Sequence, residues 1–152
     1  MSISRTHVKW GILLCSVIAY IYSLVLPALL FEHDAPVLGG TLLMWGWWGF
    51  LMFEFAWLAN PIYLFAVIAY ILGNSSIVKR ANIIALLLIV VTTLLALTSF
   101  HAKEWYFNEG SGTPIIGLGT GFYVWMLSFL ILLISCLIPS SARSLSEPSK
   151  LN

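Results

Sequence analysis

The stretch from residue 37 to 73, VLGGTLLMWGWWGFLMFEFAWLANPIYLFAVIAYILG, constrains the fold more than any other part of this chain. It is an apolar run about twice as long as the roughly 20 residues that one membrane-spanning helix needs. Glu54 is its only charged side chain, and Asn60-Pro61 breaks its second half. Four of the seven tryptophans, Trp45, Trp47, Trp48 and Trp57, lie in its first two thirds.

The rest of the composition agrees with a bilayer as solvent. The 152 residues are 61% hydrophobic and 9% charged, whereas a soluble domain carries about 25% charged residues. So little polar surface cannot cover a water-soluble globule, and the chain reads as one all-α polytopic membrane domain. A net charge of +1 without a basic tract gives no electrostatic footprint for nucleic acid. Cys15 and Cys136 sit inside apolar runs without CxxC or zinc-type spacing. They are expected to be small side chains buried between the first and last helices.

Arg5 and Lys9 stand at the head of an apolar run, Val8 to Phe31, that is too long for the roughly 7–15-residue core of a signal peptide. An uncleaved first span over about 7–30 is expected, with Trp10 at headgroup level, Lys9 snorkelling outward and Pro27 in the last turn. Asp34 is expected to cap the following helix, with Pro36 in its first turn. Gly73 marks the end of the long run. Further spans are expected over about 77–100 and 114–138. Between them, Trp105, Tyr106 and Phe107 suit the membrane interface. Gly117, Gly119 and Gly121 lack the preceding strand and following lysine of a phosphate loop, and read as small residues for close helix packing. The Ser-rich stretch 140–152 reads as a disordered tail.

Loop charges set the topology. Arg5 and Lys9, then Lys79 and Arg80, then Arg143 and Lys150 mark the N-terminus, the turn near 73–82 and the C-terminal tail as cytoplasmic. The loops at 31–36 and 101–113 are poor in cations and lie outside. Residues 37–73 must then cross an odd number of times. Three crossings need about 60 residues, so they cross once. The expected domain, 1–139, is therefore a bundle of four transmembrane helices with an additional Trp-rich interfacial or re-entrant helix over about 38–53, before a second span over about 55–73. Pro61 would kink that span a third of the way down and free the carbonyl of Trp57. The alternatives are a span over about 40–60 with 61–73 along the inner surface, or one long tilted helix.

Within this frame the functional candidates are Glu54, Asn60, Pro61, Trp45, Trp47, Trp48 and Trp57. A carboxylate in an apolar run marks a functional site by default, although at the junction of two elements Glu54 is also a simple interfacial group. Asn60 reads mainly as the cap of a helix beginning at Pro61, or as a polar clamp with Glu54. His33, Asp34, His101 and Glu104 share one membrane side and are the only set resembling metal or haem ligands. No cofactor is expected.

The sequence carries no catalytic motif. It points to a non-enzymatic protein of a bacterial inner membrane: an accessory, partner-binding or immunity-type protein acting through helix contacts, with the bilayer and a protein partner or second copy as its surroundings. A small oligomeric transporter or channel using Glu54 is the alternative. A membrane redox protein using His33 and His101 is a further one.

Overall fold

Pro27 ends the first helix early. The residue before a proline is pushed away from helical angles, and in the computed structural model the helix α1, Arg5–Ser23, stops short of it. The structure describes residues 5–52, 54–75, 80–106 and 112–138. The expected tail (140–152), the charges Lys79, Glu109, Arg143 and Lys150, and Phe107 lie outside the described residues.

Instead of continuing to residue 30 as the sequence predicts, the chain forms a strand, β1, Pro27–Leu30. This strand pairs antiparallel with β2, Val37–Leu38, on one side and with β5, Gly117–Leu118, on the other. A second small sheet joins β3, Glu104–Trp105, to β4, Thr113–Pro114. Ile115 N–H then donates to the Lys103 carbonyl and Ile116 N–H to the Leu30 carbonyl, at 2.8 and 2.9 Å, so the two sheets are stitched together. The predicted start of the last helix at Pro114 is corrected for the same reason: residues 113–118 are occupied by strand pairing. The helix α5, Thr120–Leu137, begins only after Gly119.

The remaining long helices are α3, Ala59–Asn74, and α4, Ala81–Leu97. Each is extended by 3-10 turns, Ala56–Leu58 before α3 and Thr98–His101 after α4. Among the described residues, three helical stretches are long and apolar enough to cross a membrane: Ala56–Asn74, Ala81–His101 and Thr120–Leu137. His7–Ser23 is apolar but shorter. The protein is thus mostly helical and of membrane class, with small sheets clipped to one end of its bundle.

The 37–73 run is not one helix. After β2 it forms a short helix α2, Gly39–Trp45, and a 3-10 segment, Gly46–Met52. It then turns back through the Glu54 N–H to Gly49 carbonyl bond of 2.9 Å before α3 begins. The N-cap of α2 is Leu38, and it makes no side-chain cap bond. Asp34 and Pro36 are exposed, several residues upstream. The β1–β2 pairing holds that stretch extended, which is why the predicted cap fails. At the other end α3 runs through Gly73 to Asn74, and Ser75 takes the C-cap.

Packing follows two pairs, α1 on α5 and α3 on α4, joined through α4 and α5. Lipid supplies no hydrophobic drive between helices, so close approach and hydrogen bonds must hold them. Small residues do the first: Ala59, Ala66, Ala85 and Ala96 are fully buried. Gly121 shows the need most clearly, because a Cβ there would stand 2.7 and 2.8 Å from the Leu26 and Pro27 carbonyl oxygens. The glycines at the start of the last helix therefore serve close packing at Gly121, while Gly117 is a strand residue. Cys136 is half-buried beside the core, but Cys15 is exposed on the outer face of α1. Among the described residues no other helix covers that face, so the expected burial of Cys15 is corrected.

Candidate functional site

The feature with most chemical content is a partly open cavity of about 750 Å³ at the sheet-bearing end of the bundle. Its walls come from the end of α1 (Ser23, Leu24), the sheet (Ala28, Leu29, Trp105), the 39–52 segment (Leu42, Trp45, Trp48) and the start of α5 (Phe122, Trp125). Of the residues singled out from sequence, Trp45, Trp48, Glu54, Trp57 and Asn60 all line it. Trp47 does not; it stacks on Trp48 with ring centroids 4.7 Å apart and is exposed. Pro61 lies in the first turn of α3, not a third of the way along it, because the helix begins at Ala59. A proline in a first turn costs no interior hydrogen bond, so it imposes no kink.

Local chemistry fixes the chamber's mouth. The Trp57 Nε1–H donates to the Leu43 carbonyl at 2.8 Å and pins α2 against the start of α3. This approach requires a glycine opposite: a Cβ at residue 46 would stand 2.7 Å from Trp57 Cδ1. The half-buried Glu54 closes the same turn. Across the cavity, the Tyr106 hydroxyl donates to Glu104 Oε2 at 3.0 Å. The carboxylate that accepts this proton raises the Tyr106 phenol above its usual value, mainly through the hydrogen bond and secondly through its charge.

Asn60 forms the inner wall and is not a helix cap. Its Oδ1 accepts from the Tyr20 hydroxyl and from Trp125 Nε1–H, both at 2.9 Å. Its Nδ2 donates to the Trp57 carbonyl at 3.1 Å. That carbonyl is the one Pro61 cannot serve, since proline lacks the N–H that an α-helix would supply there. One buried amide thus ties together α1, α3 and α5.

Below Asn60 the three helices share a seam of hydroxyl groups that sequence reasoning missed. Ser16 Oγ donates to the Ser128 carbonyl at 2.7 Å and pairs with the Tyr63 hydroxyl at 2.8 Å. Ser128 Oγ returns to the Trp125 carbonyl at 2.6 Å. Further along, the Tyr70 hydroxyl pairs with Ser135 Oγ. Tyr20 stacks on Tyr63 at 4.7 Å, and Tyr63 leans on Phe129 at 5.1 Å. The signal was available as spacing. Lys9, Ser16 and Ser23, then Tyr63 and Tyr70, then Ser128 and Ser135 each recur at seven residues. This repeat places polar groups on one helix face, and all seven are buried.

The histidine set does not assemble. Among the described residues no group of three or more His, Cys, Asp and Glu is placed to hold a metal. His33 is 87% exposed and lies 4.0 Å from Glu32. His101 is exposed at the end of its 3-10 turn, while Glu104 belongs to the chamber. Trp105 is half-buried and packs under the sheet with Leu29, Phe31 and Val37, so of the aromatic run 105–107 expected at the interface, Tyr106 is exposed and Trp105 is not. Compared with protein-family models, curated proteins and solved structures, the chain matches none.

Proposed function

We propose that this is a non-catalytic binding protein of a bacterial inner membrane, crossing four times with both termini cytoplasmic. In this reading α1, the Ala56–Asn74 stretch, α4 with its 3-10 extension, and α5 are the spans. The 39–52 segment dips into the outer leaflet and returns, and the chamber opens outward. It is an accessory, partner-binding or immunity-type protein whose working part is the tryptophan-lined chamber, which receives an apolar guest from the membrane or from a partner. The chamber carries the proposal, because a concave apolar space with few polar groups is the usual form of a binding site. Exposed Leu64, Phe65, Leu87, Leu94, Ile134 and Leu137 along the helices suit contact with lipid.

Two measurements test this. In a cysteine-free background, Thr41→Cys should react with an impermeant thiol reagent from outside and Arg80→Cys only from inside; the reverse pattern refutes the topology. Mild-detergent purification followed by mass spectrometry should recover a stoichiometric guest or partner. Thr41→Trp, which adds bulk at the chamber wall, should lose it.

One observation favours a second reading, a small oligomeric transporter using Glu54. The chamber holding Glu54 ends on Asn60, from which the hydroxyl seam leads into the bundle. Proton-dependent flux in liposomes, abolished in Glu54→Gln, would select it.

A further inference from the structure

The chamber has a charge character that its guest must match. Its walls bring two carboxylates, Glu54 and Glu104, into one space, and no lysine, arginine or histidine among the described residues lines it. Three of the indole and phenol hydrogens on its walls are already committed. Trp57 Nε1–H is given to Leu43, Trp125 Nε1–H to Asn60 and the Tyr106 hydroxyl to Glu104. An anionic head entering here would meet two negative charges and no lining cation to offset them, and beside the half-buried Glu54 Coulomb terms are stronger than in water. A cationic head meets the opposite. It gains both carboxylates and lies among the indole rings of Trp45, Trp48 and Trp105, which line the same space and whose quadrupoles attract an ammonium group. The remaining walls, such as Leu24, Leu29 and Leu42, are apolar.

This inference rests on the chamber being a binding site. We propose that its guest is a single-chain amphiphile with an ammonium head, protonated or quaternary. The head sits between the Glu54 and Glu104 walls, and the chain lies on the leucines towards α1 and the sheet. The volume of about 750 Å³ falls within the roughly 300–1,000 Å³ of sites that hold one small molecule.

The test uses the full chain in maltoside micelles, titrated with three probes that share a twelve-carbon chain: dodecyltrimethylammonium, dodecanoate and dodecanol. Calorimetry and tryptophan fluorescence are the readouts. The ammonium probe should saturate at one per protein and bind at least about tenfold more tightly than dodecanoate, a ratio within reach of one or two charge contacts. Its affinity should fall about tenfold in Glu54→Gln or Glu104→Gln and vanish in Thr41→Trp. Circular dichroism checks each variant's fold. Should Glu54→Gln not fold, Glu104→Gln, at the exposed first residue of β3, carries the comparison. Equal, saturable binding of all three probes would overturn the ammonium preference while leaving the chamber as an apolar binding site. Ammonium binding unchanged in both glutamine variants would overturn it too. Saturable binding of none would overturn this inference and the underlying reading together.

Discussion

Replacing Asn60 by leucine should unlock the bundle at the floor of the chamber. The substitution keeps the number and branching of side-chain heavy atoms and removes three hydrogen bonds, those from Tyr20, from Trp125 and to the Trp57 carbonyl. Asn60 is 8% exposed, so little solvent is at hand to replace them. Interhelical hydrogen bonds in membrane proteins average about 0.6 kcal/mol and reach about 1.7. Two of the three bonds cross between helices and the third is local to the start of α3; counted on the same scale they give an expected loss of about 2–5 kcal/mol, towards the upper end because two donors stay buried without an acceptor. Reversible unfolding in mixed micelles of increasing denaturing-detergent fraction measures this directly. The mechanism makes a sharper claim through a double-mutant cycle. Tyr20→Phe alone removes one donor; in the Asn60→Leu background that donor is already wasted, so the second change should cost about 1 kcal/mol less than it does alone. Strict additivity, or an Asn60→Leu variant within about 0.5 kcal/mol of the wild type, would refute the hub.

Three other outcomes are expected. Gly121→Val should destabilise the α1–α5 joint by about 1–3 kcal/mol, since its Cβ would press on the Leu26 and Pro27 carbonyls; a melting temperature equal to the wild type's counts against it. Trp57→Phe should leave the long helices protected but speed hydrogen exchange over residues 39–52, because the bond to Leu43 goes while the ring remains. Unchanged exchange there would mean that other contacts hold the segment. Tyr106 should ionise above the ordinary tyrosine value of about 10, because Glu104 favours its neutral form. The link is then intact below the ordinary value and lost as pH rises through the raised one. Ultraviolet titration, with Tyr106→Phe subtracted, should show the shift removed in Glu104→Gln.

How much of this was readable beforehand depends on range along the chain. The 37–73 run carries its own breaks: glycines 46 and 49 weaken any helix through the tryptophans, and Pro61 announces a carbonyl that must find another donor. The sequence named that carbonyl, Trp57, and the structure supplies Asn60 as its partner. Strands of two to four residues, by contrast, show no usable alternation. Pairing of β1 with β5 links residue 29 to residue 118, and nothing local to either announces the other. That pairing shortens the first and last helices at both ends of the chain. Glu104 and Trp105 reach the chamber by the same non-local route, so a histidine-centred grouping by membrane side put Glu104 in the wrong company. The seam was encoded locally as a seven-residue repeat, but serines and tyrosines in apolar helices look innocuous singly. Only the alignment of three helices makes them one feature.

The seam and the chamber meet at a single amide. The seam is internal, with directional bonds between buried partners on α1, α3 and α5, and it gives the bundle a fixed register that apolar contact in lipid would not. The 39–52 segment is secured differently. Gly39 and Gly40 N–H groups bond the Leu26 and Leu24 carbonyls at one end. Trp57 pins Leu43, and the Glu54–Gly49 bond closes the other end. Between these ties Met44, Trp45, Trp47 and Trp48 are all exposed. Stability in proteins is unevenly distributed, and binding elements are drawn from its lower end. Here the division is explicit: Asn60 belongs to the rigid seam through Tyr20 and Trp125, and to the chamber through its own inner face. A guest would thus close against a floor already ordered by the bundle, and any ordering that binding brings falls on the tied but exposed segment above it.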